Sequence, residues 1–244
     1  MDNTMYVSLS RQVVLQRELD IVANNIANAD TAGFKVEDMM KRADQAAPAK
    51  TAGILSPVTF VMDDGVARDF RQGSMNPTGA PLDLAIDGKG FFKVTTAGGD
   101  RYTRDGRFKL DADGKVVTQD GNAVQGGGGD IVLDAKKGPV TISETGVISQ
   151  AGQKVGQIDV VNFDDLSALS KQGDNLFRND TNVQPQPATS AKLRQGSLEG
   201  SNVQTLTQIT RLVEINRAYD SITNMMSQTS DLSRRSIQRL GAVN

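Results

Sequence analysis

The chain has 244 residues, enough for one or two domains with a sizeable core. Its formal net charge is −2, and no Lys/Arg stripe with interleaved aromatics runs along it, which speaks against a nucleic-acid groove. It contains no cysteine and no histidine. Disulfides, thiolate zinc sites, cysteine nucleophiles and any triad with a histidine base are therefore excluded.

No apolar run approaches the ~20 residues that span a bilayer, so membrane insertion is not expected. The start lacks a basic n-region, a continuous apolar h-region and a small-residue cleavage site. A cleaved secretory signal is not expected, and a chain leaving the cytoplasm would take another route.

The first predicted element is a long helix over residues 6–32. Leu15, Leu19, Val22, Ile26 and Ala29 recur at steps of four and three, the a/d pattern of a helix that packs along another helix. A second line, Val7, Val14 and Ile21, repeats every seven residues on the adjoining flank. The combined band is too wide for one partner helix, so something else is expected to touch the second flank, Val7, Val14 and Ile21. Asp2 or Asn3 is placed to cap the start, and Gly33 to end the helix in a left-handed conformation. The polar cluster Asn24, Asn25, Asn28, Asp30 and Thr31 reads first as a solvated helix end. Its sharper reading is a set of amides that hydrogen-bond across helices and set their register.

Residues 36–80 read as an extended connection. Within it, residues 38–47 have the pattern of a short polar helix, residues 46–50 contain a breaker, and residues 54–62 alternate around Pro57 as an edge segment. Residues 63–81 are rich in turn formers.

Between residues 81 and 160 the character changes. Most of the chain's 24 glycines fall here, and the apolar period shortens to two. Strands are predicted over 91–94, 102–103, 107–110, 116–118, 131–133, 140–143 and 158–163. Asp87-Gly88, Asp105-Gly106, Asp113-Gly114 and Asp120-Gly121 lie between them and predict type I′ hairpin turns. The expected form is an antiparallel sandwich or partly open barrel.

After a polar stretch with Gln184-Pro185-Gln186-Pro187, helical signals resume. Ser201 and Gln204 have capping-box spacing. Leu206, Ile209, Val213, Tyr219, Ile222, Met226 and Leu232 then mark one face of a helix running through Arg239. Each terminal helix alone would expose its stripe, so the simplest burial is helix against helix. The predicted class is α+β. Long N- and C-terminal helices pair as a coiled coil around a central antiparallel β-rich domain, on a discontinuous, hairpin-like chain path. The expected division is residues 1–35 and 193–244 for the helical assembly part, 36–80 for the connection and 81–192 for the β domain.

Motifs for chemistry are weak. Gly88-Lys89-Gly90 and residues 126–129 lack the spacing and the following helix of a phosphate loop. Asp111-Ala112-Asp113-Gly114 has Asn122 where a calcium loop needs a glutamate. Turns explain all three. No pair of carboxylates stands out as acid and base, so no catalytic residue, metal site or cofactor is expected.

Four segments, in order, resemble the bacterial flagellar rod and hook family. Asn24-Asn25-Ile26-Ala27-Asn28 through Thr31-Ala32-Gly33-Phe34-Lys35 is similar to its N-terminal signature. Thr78-Gly79-Ala80-Pro81-Leu82-Asp83-Leu84 through Gly88-Lys89-Gly90-Phe91-Phe92 is similar to its central motif. Tyr102-Thr103-Arg104-Asp105-Gly106-Arg107-Phe108 resembles the hairpin that follows. Leu198-Glu199-Gly200-Ser201-Asn202-Val203, with Arg217-Ala218-Tyr219-Asp220, resembles the C-terminal helix motif.

The resemblance implies a structural subunit that polymerises into the torque-carrying rod. Its terminal helices would form the inner layer of a periplasmic tube, and it would be exported by the flagellum's own secretion apparatus. The implied partners are other rod subunits, proximal and distal, with copies of itself as a further option, and the export apparatus. The short start, Met1 to Val7, is more similar to a proximal than to a distal rod member. The residues expected to pack or assemble are Val7, Val14, Leu15, Leu19, Ile21, Val22, Asn24, Asn25, Ile26, Asn28, Leu206, Ile209, Val213, Tyr219, Ile222 and Met226. A secreted β-domain binding module is the rival reading from another class.

Overall fold

A computed structural model describes residues 2–49, 58–134, 136–181 and 183–241. It contains two helices and many antiparallel strands, an α+β chain divided into two compact units. The first unit is discontinuous: among the described residues it takes those up to 27, those from 37 to 69, and those from 204 onward.

Its core is a pair of long helices, α1 (Asp2–Ala27) and α2 (Thr205–Gly241). They contact one another through Leu15, Val22 and Ile215, flanked by Leu19, Ile26, Leu212, Ala218, Tyr219 and Ile222. Gln12 donates to the Tyr219 hydroxyl at 2.8 Å, while Asn25 lies 3.4 Å from Gln208. As the number rises on one helix it falls on the other, so the pair is antiparallel.

Both helix ends differ from expectation. The helix α1 stops at Ala27, five residues before Ala32. The Asn28 carbonyl accepts from the Thr31 amide and its side chain from the Thr31 hydroxyl, each at 3.2 Å, a local turn that competes with further helix. Gly33 is left-handed, φ +69°, but lies beyond the helix rather than at its C-cap. The helix α2 starts at Thr205. The Gln204 carbonyl accepts from the Gln208 amide, which makes Gln204 the cap residue, and the Ser201 hydroxyl accepts instead from the Val203 amide.

The rest of this unit replaces the short helix expected at residues 38–47. Strands β1 (Glu37–Ala49) and β2 (Val58–Arg68) form an antiparallel ribbon that packs on α1. Residues 38–47 are strand rather than helix. Pro48 is tolerated because both strands of a two-stranded ribbon are edges. The expected edge segment at 54–62 begins outside the described residues, and its described part, 58–62, lies in β2.

The second unit spans residues 28–36 and 70–203 and is β-rich. Its main sheet runs in the order Leu169–Lys171, Leu176–Asn179, Gly99–Thr103, Phe91–Thr96, Ala123–Gly126, Val116–Val117, Lys109–Leu110, with Val160–Asn162 also paired to Phe91–Thr96. Neighbouring residues on a strand face opposite sides. Phe92 and Val94 accordingly enter a large aliphatic cluster with Leu84, Ile86 and Val124. Phe91 enters an aromatic one with Tyr102, Phe163, Leu169 and Phe177. The ring centroids of Tyr102 and Phe163 are 4.7 Å apart, edge to face.

The Asp-Gly expectation fails in detail. Asp113-Gly114 and Asp120-Gly121 do join paired strands, but no aspartate there has the positive φ that a type I′ turn demands; only the glycines do. Asp87-Gly88 and Asp105-Gly106 connect strands that do not pair with each other. Both central residues are left-handed at Gly127-Gly128 and at Ala151-Gly152, φ +50° and +77° for the latter. Residues 131–133, expected as a strand, contribute only an isolated bridge from Val132 to Lys115.

Candidate functional site

Two sets of residues stand out. The first is the surface of α1. Leu15, Leu19, Val22 and Ile26 lie in the cluster shared with α2. The flank Val7–Val14–Ile21 is not left open. Val14 is 4 % exposed, and Val7 and Ile21 are half-buried. Glu18, one turn beyond Val14, meets Lys41 of β1 at 2.5 Å, and Asn25 binds the backbone of Glu37. The chain's own ribbon therefore covers part of a face on which an outside partner was expected. Of the amides, Asn25 is fully buried, Asn28 half-buried and Asn24 exposed.

On α2 the expected stripe splits. Tyr219 and Ile222 face α1, and Met226 is half-buried farther along. Leu206, Ile209 and Val213 point away, with Leu206 79 % exposed. The packed face is Gln208, Leu212, Ile215, Tyr219 and Ile222, at steps of four and three. The polar Gln208 at its head disguised that phase. On α1 a matching uncovered strip is Tyr6, Leu9 and Val13, with Tyr6 62 % and Val13 61 % exposed. In the antiparallel pair these two strips lie toward opposite ends.

The second set was not foreseen. In the β-rich unit, Lys35 and Arg104 share the buried carboxylate of Glu199. Lys35 Nζ donates to Oε1 at 2.5 Å and Arg104 Nη1 to Oε2 at 2.9 Å; the three side chains are 0 %, 4 % and 0 % exposed. The Gly73 amide donates to Oε1 at 3.1 Å. Lys35 also donates to the Arg71 carbonyl, Arg104 Nη2 to the Gly88 carbonyl, and the guanidinium lies 5.3 Å from the Phe91 ring centroid. Burial pushes the Arg104 pKa down, and Glu199 opposes that shift. Local patterning offers no signal for such a cluster, because its members are 69 and 95 residues apart in sequence for the pairs Lys35–Arg104 and Arg104–Glu199.

Backbone packing around the cluster is tight. A Cβ on Gly33 would lie 2.4 Å from the Arg104 carbonyl carbon, and one on Gly73 would lie 2.0 Å from the Gly200 oxygen. Close approach, as well as positive φ at Gly33, requires glycine there.

Three stretches of the chain match known families. Residues 5–35 match "Flagella basal body rod protein", 85–150 "Flagellar hook protein FlgE/F/G D1 domain" and 194–239 "Flagellar basal body rod FlgEFG protein C-terminal". The chain is 58% identical over 245 residues to the flagellar basal-body rod protein FlgF of Caulobacter vibrioides, covering 100% of both chains. The chain belongs to the flagellar basal-body rod protein family. It is also 34% identical to FlgF of Mesorhizobium japonicum, over 99% of each chain. Similarity to the rod protein FlgG of Bacillus subtilis is lower, 31% over 94% of this chain and 96% of that one. Each of the three family matches contributes one residue to the buried cluster: Lys35, Arg104 and Glu199. Among the described residues, no helix of this rod-family chain is long and apolar enough to cross a membrane.

Proposed function

We propose that the chain is a structural, non-catalytic subunit of the proximal rod of the bacterial flagellar basal body. The observation that carries this is the full-length identity of 58% to a protein named flagellar basal-body rod protein FlgF, against 31% for a named FlgG. In this reading α1 and α2 pair as a coiled coil. The seven-residue spacing of Leu15 with Val22, and of Ile215 with Ile222, supports it. The strips Tyr6–Leu9–Val13 and Leu206–Ile209–Val213 meet neighbouring rod subunits. A contact between two different patches repeats without closing, as a helical tube requires. The subunit reaches the periplasm through the flagellar export apparatus without a cleaved signal.

The test is to delete the gene in its own bacterium, complement it with a tagged copy, and analyse purified basal bodies by mass spectrometry and cryo-microscopy. The tagged chain should occupy the lower part of the rod, and the deletion should be non-motile. A tag missing from purified basal bodies, or normal swimming by the deletion strain, would overturn the reading.

A further inference from the structure

The two helices carry an internal repeat. Residues 6–24 of α1 align with residues 206–224 of α2 at a constant offset of 200. Arg11, Val13, Arg17, Asp20 and Asn24 are identical to Arg211, Val213, Arg217, Asp220 and Asn224. The buried seam is kept in kind, with Leu15 for Ile215 and Val22 for Ile222, and the two copies pack on each other antiparallel. One pattern already binds its own repeat inside the chain.

The repeat is lost on one face and kept on another. Glu18 and Asn25, which meet Lys41 and Glu37 of β1, stand against Ala218 and Met225. There the ribbon sets the residue. The exposed face does not diverge. Tyr6, Leu9 and Val13, then Arg17 and Asp20, run at steps of three and four, and Leu206, Ile209, Val213, Arg217 and Asp220 repeat them in order, all exposed. A likeness that packing within the chain does not use points to a partner outside it.

The register of the pair says how such a partner must sit. Gln12 is level with Tyr219, so Leu9 is level with Ile222. From Ile222 back to Ile209 is 13 residues, about 20 Å at ~1.5 Å each. The two apolar strips of one chain therefore do not meet. Two copies running the same way bring them together, again antiparallel, when one is displaced by that distance along the helices.

We propose that the strips are two copies of one docking code and that what reads them is a second copy of this chain. Leu9 of one copy seats opposite Ile209 of the next, with Tyr6 opposite Val213 and Val13 opposite Leu206. Each copy of such a pair keeps one strip open, so the row continues without closing. The occupant is another copy because the seam inside the chain is this same pattern packed on its repeat. This deepens the assembly reading above and rests on it for the common direction of the copies.

The chain has no cysteine, so Leu9→Cys with Ile209→Cys introduces its only thiols. Purified protein, and basal bodies carrying a tagged copy, are treated with a short bismaleimide that cannot bridge about 20 Å within one chain. The double variant should give a ladder of covalent dimers, trimers and larger species, while either single variant stays monomeric. Single variants that dimerise as fully as the double overturn the proposal, because each strip would then meet its own kind. A double variant that is present in basal bodies, yet monomeric in both preparations, overturns this pairing alone. A ladder from purified protein, with no tagged chain in basal bodies, overturns the rod reading alone.

Discussion

Asn25 grips the backbone of Glu37 from both sides: its Oδ1 accepts from the Glu37 amide at 3.0 Å and its Nδ2 donates to the Glu37 carbonyl at 2.7 Å. A side-chain amide carries the donor and acceptor of a peptide group, so it pairs with β1 much as another strand would. Asn25→Ala leaves both Glu37 groups without these bonds in a partly buried site, and a loss of about 1–3 kcal/mol is expected. Urea unfolding followed by circular dichroism measures it. A change below about 0.5 kcal/mol, the range of surface substitutions, would show that the grip contributes little.

Gly33→Ala should be among the most damaging single substitutions. The residue has φ +69°, and a Cβ would lie 2.4 Å from the Arg104 carbonyl carbon, where backbone rather than a flexible side chain must yield. Strain of this kind costs about 3 kcal/mol or more, which for a chain of this size lowers the melting temperature by roughly 6–12 °C. A thermal melt within a degree or two of the unaltered protein would contradict the packing around Gly33.

Ala151 offers the opposite sign. It sits at φ +50° as the first central residue of the turn before Gly152, a conformation that costs an ordinary L-residue about 1–2 kcal/mol. Asparagine enters that region more easily. Ala151→Asn should therefore raise stability by about 0.5–1 kcal/mol in urea titration. A neutral or negative result would mean that the turn is not type I′.

Alkaline pH should weaken the β-rich unit. Burial first, and then Asp100, raise the Tyr102 pKa above 10.0; the hydrogen bond to Asp100 raises that of Lys93 above 10.5 despite opposing desolvation. A raised folded pKa gives stability that is present below the unfolded value and lost as pH rises through the folded one. Both groups act in the same window, so the urea midpoint should fall as pH passes 10. In Tyr102→Phe the fall should be shallower; a curve of the same steepness would remove Tyr102 from the account.

Periodicity made the two helices, their mutual packing and the antiparallel β region legible, because burial on one face leaves a repeat of 3.6 or 2. It could not reveal β1. Residues 37–49 are rich in Asp, Lys, Arg, Gln and Ala, which have low strand preference, and they become a strand only by pairing with distant β2. The phase of α2 was misread for a related reason. Gln208 is polar and buried while Leu206 is apolar and exposed, so the visible stripe tracked the open face at the start of the helix. Glu199 was invisible, since nothing in Leu198-Glu199-Gly200 announces that two cations from elsewhere converge on it.

That split of α2 into a buried and an open face separates folding from assembly. Ile215 is buried against Leu15 and Val22, and Ile215→Asp should cost several kcal/mol in the purified chain. Val213 is two residues away and 43% exposed, so Val213→Asp should change stability by no more than about 0.5 kcal/mol. If Leu206, Ile209 and Val213 receive a neighbouring subunit, the same Val213→Asp places a charge in an apolar contact and should abolish swimming in soft agar and incorporation into basal bodies. Leu206→Asp should behave alike, and so should Val13→Asp on the other strip. Normal motility in all three would leave the strips as bare surface. Low motility with an equally lowered melting temperature would mean that they serve the fold rather than the contact.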